Sequence, residues 1–322
     1  MTDAEPETDT EEPSLNGEAF SQMLGWRDLS PEDREREYSP SSCVDYQLDP
    51  YLRAYASHSE ASRRWCEVHD FPLRTMAYGE APSQTIDVVT PGVAGAPLVA
   101  FIHGGYWQAL SKLDGFGPAR DVVGHGCAYA SVDYTLAPHA SLDQIVAECR
   151  MALAKLQQTA PRLGFDPARI FVAGSSAGAH LASMVALDPD RRWQPAGLVL
   201  LSGIYDLEPL LTTSVNEALS LDRKDAHRNS PSRLAISAPM PAVVAWGDNE
   251  TTQFKAQSRL FADRLSHAGA RPTLVEAMKR NHFDIVDDLG DTSSELGSAV
   301  VALIDSGGER PKLPRTHGRL QG

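Results

Sequence analysis

Several common sequence patterns are missing from this chain, and each absence narrows its role. No apolar run approaches the ~18 residues that a membrane-spanning helix needs. The N-terminus lacks the basic and then apolar layout of a secretory signal peptide. The four cysteines form no Cys-x-x-Cys pair, which favours reduced thiols over two disulfides. Together these absences predict a cytoplasmic protein with no membrane partner.

Motifs for metals and nucleotides are also missing. The sequence has no His-Glu-x-x-His, no Gly-x-x-x-x-Gly-Lys phosphate loop and no Gly-x-Gly-x-x-Gly fingerprint. Basic residues are scarce, with 29 Lys and Arg against 43 Asp and Glu, which gives a net charge of −14. Such a surface repels nucleic acid and anionic lipid. We therefore expect no metal, no cofactor and no nucleic-acid partner.

Length and composition indicate one large domain with extensions. The chain has 322 residues, 42% of them hydrophobic and 22% charged, as in ordinary globular proteins. Six of the first twelve residues are acidic, which predicts a disordered tail over 1–18. The end of the chain mixes Gly, Pro and four basic residues, which predicts a second tail over 306–322. The domain itself is then 19–305, and its oligomeric state is left open, a homo-oligomer included.

Short apolar runs alternate with amphipathic segments in the manner of βαβ units. A helix is expected after Ser141, because Ser141 and Gln144 form a capping box ahead of apolar residues at helical spacing. Strands are predicted at Thr85 to Val89, Pro97 to His103, Ala128 to Tyr134, Arg169 to Gly174, Gly197 to Ser202, Ala242 to Gly247 and Thr273 to Ala277. This pattern predicts an α/β fold, a mostly parallel sheet with helices on both faces and its ligand crevice beyond the carboxyl ends of the strands. The irregular segments 19–70 and 206–235 are expected to form a small partial lid.

The most informative motif follows the fourth predicted strand. Residues 174–178 read Gly-Ser-Ser-Ala-Gly, a Gly-x-Ser-x-Gly pattern between a strand and a helical run. In that context the turn holds its central serine in a strained conformation, and the flanking glycines avoid collisions with neighbouring elements. Ser176 is therefore the predicted nucleophile.

An anion-stabilising site is expected beside that serine. One N–H donor should come from Ala177, the residue after the nucleophile. Others should come from Gly104 and Gly105, which follow the strand ending at His103. We expect His103 itself to support this loop.

The base and the acid are sought later in the chain, because the chain order in this fold is serine, acid, histidine. His267 falls in an apparent helix and His317 in the basic tail, which leaves His282 as the base. Glu250 and Asp248 both follow the strand ending at Gly247. Acid turns of this kind place the carboxylate three residues after the glycine, which favours Glu250 and leaves Asp248 as the alternative.

Taken together, the motifs resemble α/β-hydrolases of the kynurenine formamidase (arylformamidase) type, neighbours of the hormone-sensitive-lipase-like esterases. His-Gly-Gly-Tyr-Trp-Gln at 103–108 is the most specific match. The matching stretches run from 38 to about 290 and are Tyr38 to Ser41, Tyr78-Gly79 with Ile86 to Val88, Asp133-Tyr134 with Leu136 to Pro138, Gly174 to His180, Ser202 to Leu207 with Pro209, and Asn281 to Asp284. In this family a Phe and a Gln-Ser pair follow the acid at fixed spacing. Phe254, Gln257 and Ser258 match that spacing, which again selects Glu250.

The resemblance implies a serine hydrolase that cleaves a small-acyl aryl amide through an acyl-enzyme. It implies Ser176 as nucleophile, His282 as base and N–H donors near Gly104, Gly105 and Ala177. Tyr106 and Trp107 are expected to line the substrate pocket or to pack in the core, and Tyr205 to face the site from the other side. A carboxylesterase for short aryl or alkyl esters is the alternative, and a non-catalytic ligand-binding protein is the remote one.

Overall fold

A central β-sheet organises the molecule. The structure, a computed structural model, describes residues 16–190 and 193–307. In this part of the chain eight strands lie in the order β1-β2-β4-β3-β5-β6-β7-β8. β2 runs antiparallel to its neighbours and the strands from β4 to β8 are parallel to one another. The strands are β1 (Leu73–Ala77), β2 (Thr85–Val89), β3 (Ala96–Ile102), β4 (Ala128–Val132), β5 (Phe165–Ser175), β6 (Gly197–Leu201), β7 (Ala242–Asn249) and β8 (Thr273–Asn281).

Helices cover both faces of the sheet, so the core has two layers. Apolar residues of α5, α6 and α9 pack on one face, and those of α3, α4 and α10 on the other. The helices are α1 (Gly17–Met23), α2 (Pro31–Glu37), α3 (Asp49–Val68), α4 (Ala119–Gly124), α5 (Leu142–Leu163), α6 (Ala177–Ala186), α7 (Asn216–Leu219), α8 (Arg223–Arg228), α9 (Thr252–His267) and α10 (Glu295–Ser306). None of the described helices is long and apolar enough to cross a membrane.

The predicted α/β architecture is confirmed. All seven predicted strands are present, and β3 is buried along its whole length, as expected for a strand with helices on both sides. The predicted capping box is present at α5, where the Gln144 N–H donates to the Ser141 hydroxyl and the Gln144 side chain accepts from the Ser141 N–H.

Two expectations about the outer parts of the fold are wrong. The segment 19–70 is not irregular, because it holds α1, α2 and the 20-residue α3. The segment 206–235 likewise contains α7 and α8.

The edge strand β1 is missing from the prediction, because its residues are mostly exposed and show no apolar alternation.

The proposed division into tails and one domain stays a prediction. Most of the tails, 1–15 and 308–322, lies outside the described residues. Within the described residues, α1 begins at Gly17 and α10 ends at Ser306. The predicted boundaries at 18 and 306 therefore each fall inside a helix.

Candidate active site

Ser176 occupies the sharp turn between β5 and α6. Its backbone has φ 56° and ψ −119°, a strained conformation for a residue with a side chain. A Cβ on Gly178 would lie 2.0 Å from the Ile102 carbonyl oxygen, and one on Gly174 would lie 2.3 Å from the Gly178 backbone. Gly178 therefore allows the turn to pack against β3, and Gly174 allows the turn to close on itself. This turn places Ser176 at the carboxyl edge of the sheet.

His282 and Glu250 form a buried pair at the same edge of the sheet. The His282 Nδ1 atom lies 3.0 Å from Oε2 of Glu250, and both residues are under 10% exposed. Glu250 rather than Asp248 makes this contact, while the Asp248 backbone carbonyl accepts a hydrogen bond from Lys255. The sequence left Glu250 and Asp248 as alternative acids, and of the two it is Glu250 that contacts the His282 imidazole.

Two aromatic rings flank His282. Phe254 meets the imidazole edge-on with ring centroids 4.6 Å apart, and Phe283 does so at 5.4 Å. Such edge contacts restrict rotation of the imidazole, so its orientation is set by packing as well as by Glu250.

The loop after β3 brings backbone amides beside Ser176. A Cβ on Gly104 would lie 2.8 Å from the Ser175 carbonyl oxygen and 3.2 Å from the Ser176 Cβ, so only glycine fits there. Gly105 has φ +94°, a conformation that glycine adopts without strain. In the described part of the chain, no backbone hydrogen bond uses the N–H of Gly104, Gly105 or Ala177. These N–H groups are therefore available to an oxygen atom bound next to Ser176.

His103 stabilises this loop through contacts of its ring and of its backbone. Its ring stacks on Tyr134 with centroids 4.2 Å apart, and its Nδ1 lies 2.9 Å from the Gly104 carbonyl oxygen. The Tyr134 hydroxyl donates to the His103 carbonyl oxygen at 3.0 Å. These contacts hold the peptide of Gly104 in one orientation.

A cavity of about 350 Å³ opens beside these groups. Ser176, His282, Gly104 and Gly105 all line it, and most of the remaining wall is aromatic or aliphatic. Helix α3 and the segment before it, predicted to belong to a lid, supply part of that wall. The apolar lining residues are Pro40, Leu48, Tyr51, Leu52, Tyr55, Phe101, Tyr106, Ala109, Leu110, Val215, Phe283 and Val286.

Of the three aromatic residues predicted to contact substrate, only Tyr106 lines the cavity. Trp107 is fully buried and meets the ring of His180 edge-on at 4.9 Å. Tyr205 is also fully buried and stacks on Phe261 with centroids 4.0 Å apart. Trp107 therefore follows the core-packing alternative, and the prediction that Tyr205 faces the site is wrong, because both large rings bury their surface in the core rather than in the pocket.

The sequence analysis did not assign three residues that the structure places at the site. Tyr51 and Tyr55 lie one turn apart on α3 and line the cavity. Residues four apart lie on the same face of a helix, so this spacing could have indicated that the two tyrosines face the site together. Ser202 follows β6 and donates a 2.5 Å hydrogen bond to Glu250 Oε1. Its position at a strand end, in a stretch that also matches the family, was the signal for it.

The fold and the site define an α/β-hydrolase. A family model described as the alpha/beta hydrolase fold matches residues 99–283, and the chain belongs to this family of hydrolases. A crystal structure from Silicibacter sp. TM1040, of a protein with a provisional thioesterase assignment, superposes with a TM-score of 0.72 at 26% identity. That superposition covers 82% of this chain and 97% of the other.

Sequence relatives place the chain more narrowly. Kynurenine formamidase from Danio rerio is 32% identical over 294 residues, which cover 88% of this chain and 99% of that enzyme. Esterase LipC from Mycobacterium tuberculosis is 29% identical over 247 residues, which cover 66% of this chain and 60% of that protein. The chain is thus a member of the kynurenine formamidase family within the α/β-hydrolases.

Proposed function

We propose that this enzyme removes a small acyl group from an aromatic amide, as an arylformamidase does, through an acyl-enzyme on Ser176. The observation that carries the proposal is the pairing of His282 with the buried Glu250, beside a cavity that His282, Ser176 and Gly104 all line. The kinship with kynurenine formamidase supports the formamide substrate.

The proposed acylation step uses these groups in turn. His282 takes the Ser176 hydroxyl proton on Nε2 while the serine oxygen attacks the carbonyl carbon. Glu250 accepts a hydrogen bond from Nδ1–H, which keeps Nε2 free to receive that proton. The N–H groups of Gly104, Gly105 and Ala177 stabilise the negative charge that develops on the carbonyl oxygen.

The second half of the reaction frees the amine and then the acid. An arylamine is a poor leaving group, so His282 must deliver its proton to the amine nitrogen as the C–N bond breaks. Water then enters, loses a proton to His282 and attacks the acyl-enzyme. For a formamide the products are the aromatic amine and formate.

The wall of the cavity suits a flat aromatic leaving group. Tyr51, Tyr55, Tyr106 and Phe283 present aromatic rings to it. Aromatic rings favour offset or edge contacts with another ring, which would orient the aryl group while the carbonyl lies at Ser176.

A carboxylesterase activity on short esters is the second candidate. The cavity of about 350 Å³ has room for an acyl group larger than formyl. Esterase LipC is among the relatives, and ester cleavage would use the same groups with an alcohol in place of the amine. A non-catalytic, ligand-binding role remains the remote candidate.

A matched series of substrates separates the two catalytic candidates. We expect N-formylkynurenine to be turned over, and kcat/KM to fall from formyl to acetyl to butyryl on one aromatic amine. The matched control is the same acyl series on nitrophenol, whose easy departure reports acyl fit alone. If butyryl esters are the best substrates and N-formylkynurenine is not cleaved, the formamidase proposal fails and the carboxylesterase takes its place.

We further propose that the enzyme works in the cytoplasm on a small molecule and leave a homo-oligomer as a prediction. Within the described residues the four cysteines form no disulfide with one another, and three of them are buried, which supports a reducing compartment. A sedimentation experiment on the purified chain measures the oligomeric state.

A further inference from the structure

The end of β6 contacts both the nucleophile and the acid. The carbonyl oxygen of Leu201 accepts the backbone N–H of Ser176 at 2.8 Å. The next residue, Ser202, donates its hydroxyl to Oε1 of Glu250 at 2.5 Å and its N–H to the Ala245 carbonyl oxygen on β7 at 2.7 Å. Two consecutive residues therefore join the strand of the serine to the strand of the carboxylate.

Ser202 is held in an unusual backbone conformation. Its φ is +49°, in the left-handed region that residues with side chains rarely occupy, and it is fully buried. The chain that follows is tethered to α9, because the Gln257 side-chain oxygen accepts the N–H groups of Tyr205 and Asp206 at 2.8 and 2.9 Å. A strained residue that is fixed by its surroundings in this way commonly serves the site it lies beside.

The two oxygens of Glu250 have separate tasks. Oε1 accepts the Ser202 hydroxyl and the Gly247 N–H, the latter at 2.6 Å, while Oε2 faces His282. The side chain of Glu250 is only 1% exposed, so protein donors must take the place of water around its charge. Hydrogen bonds to a charged carboxylate stabilise its ionised form.

We propose that Ser202 is a positioning residue for the catalytic acid: its hydroxyl fixes Oε1 of Glu250 and so keeps Oε2 directed at His282. This inference rests on the proposed function, in which Glu250 orients His282. Ser202 touches neither the substrate nor Ser176 in this scheme, so its effect must pass through Glu250. A residue that contributes only to folding would act independently of Glu250, so this requirement distinguishes the two roles.

The first experiment compares Ser202→Ala and Ser202→Gly with the parent enzyme on a nitrophenyl ester. A hydrogen bond to a charged group corresponds to roughly a 10- to 100-fold effect, so kcat should fall by about that factor in both variants with KM nearly unchanged. Ser232→Ala is the matched control, since this serine is equally buried and its hydroxyl has no hydrogen-bond partner among the described residues.

The two substitutions distinguish the hydroxyl from the backbone. Glycine adopts a positive φ without strain, so Ser202→Gly keeps the turn even if Ser202→Ala fails to fold. Full activity in Ser202→Gly, or a kcat within about twofold of the parent in Ser202→Ala, would overturn the proposal. So would a loss in Ser232→Ala as large as that in Ser202→Ala.

A second experiment tests whether the effect passes through Glu250. Modification of Ser176 by a fluorophosphonate, followed by intact-protein mass, measures slow variants without background hydrolysis. Ser202→Ala should slow modification at least tenfold in the parent and by less than about twofold in a Glu250→Gln background, because coupled residues are not additive. Equal factors in both backgrounds would show a merely structural role and refute the inference. If Glu250→Gln alone reacts as fast as the parent, the proposed triad fails instead.

Discussion

Replacing Glu250 by Gln is the sharpest test of the acid, because the structure predicts how the new amide will lie. Oε1 of Glu250 accepts two donors, the Ser202 hydroxyl and the Gly247 N–H. In Glu250→Gln those donors hold the amide oxygen in the same place, so the NH₂ group turns toward Nδ1 of His282. The imidazole must then accept at Nδ1 and carry its proton on Nε2, the tautomer that cannot take a proton from Ser176. Loss of the correct tautomer costs roughly 10⁴-fold in kcat in serine hydrolases with this arrangement.

The assay for this prediction is steady-state hydrolysis of a nitrophenyl ester and of an N-formyl arylamine, with thermal unfolding as the check on folding. Asp248→Asn is the matched control, because it makes the same chemical change two residues away and should leave kcat within about twofold. A kcat of Glu250→Gln within tenfold of the parent, or a larger loss in Asp248→Asn, would refute the assignment of the acid.

The remaining predictions concern residues outside the catalytic groups. Trp107→Ala should destabilise the fold by about 3–5 kcal/mol in urea denaturation, because it removes a fully buried ring. The KM of this variant should change equally for aromatic and aliphatic substrates. A selective loss of activity on aromatic substrates would instead indicate that Trp107 lines the pocket. Burial lowers the pKa of His180 to about 4, below its ordinary value of 6.5. The unfolded chain therefore binds more protons in this range, and stability falls with pH from about 6.5 down to about 4. Between pH 7 and pH 5 the parent should lose about 2 kcal/mol of unfolding free energy through His180, and an identical pH dependence in His180→Gln would contradict this.

The central strands could be predicted from the sequence because burial on both faces leaves a plain signal. The residues of β3 and β6 are entirely buried and form continuous apolar runs. The edge strand β1 and the helices before it escaped prediction, because they carry polar residues whose order depends on packing against the sheet. In α3, for instance, the residues that reach the core include small polar ones such as Ser59 and Ser62.

The candidate catalytic residues could be proposed from the sequence because strand ends meet at one edge of a parallel sheet. Motifs after β5, β7 and β8 therefore had to converge, and the structure brings Ser176, Glu250 and His282 to that edge. The direction of a side chain is a different matter. Tyr106 and Trp107 are neighbours in the chain, yet one faces the cavity and the other the core. The role proposed for Ser202 depends on its positive φ, and no local sequence pattern predicts that angle.

Covalent labelling of the nucleophile tests the central claim most directly. A serine-directed fluorophosphonate should modify the parent enzyme once, with peptide mapping placing the adduct on Ser176, and Ser176→Ala should remain unlabelled. The same variant should lose roughly 10⁴-fold or more in kcat on the ester and the formamide alike. An adduct on the neighbouring Ser175, or hydrolysis that survives in Ser176→Ala, would contradict the account.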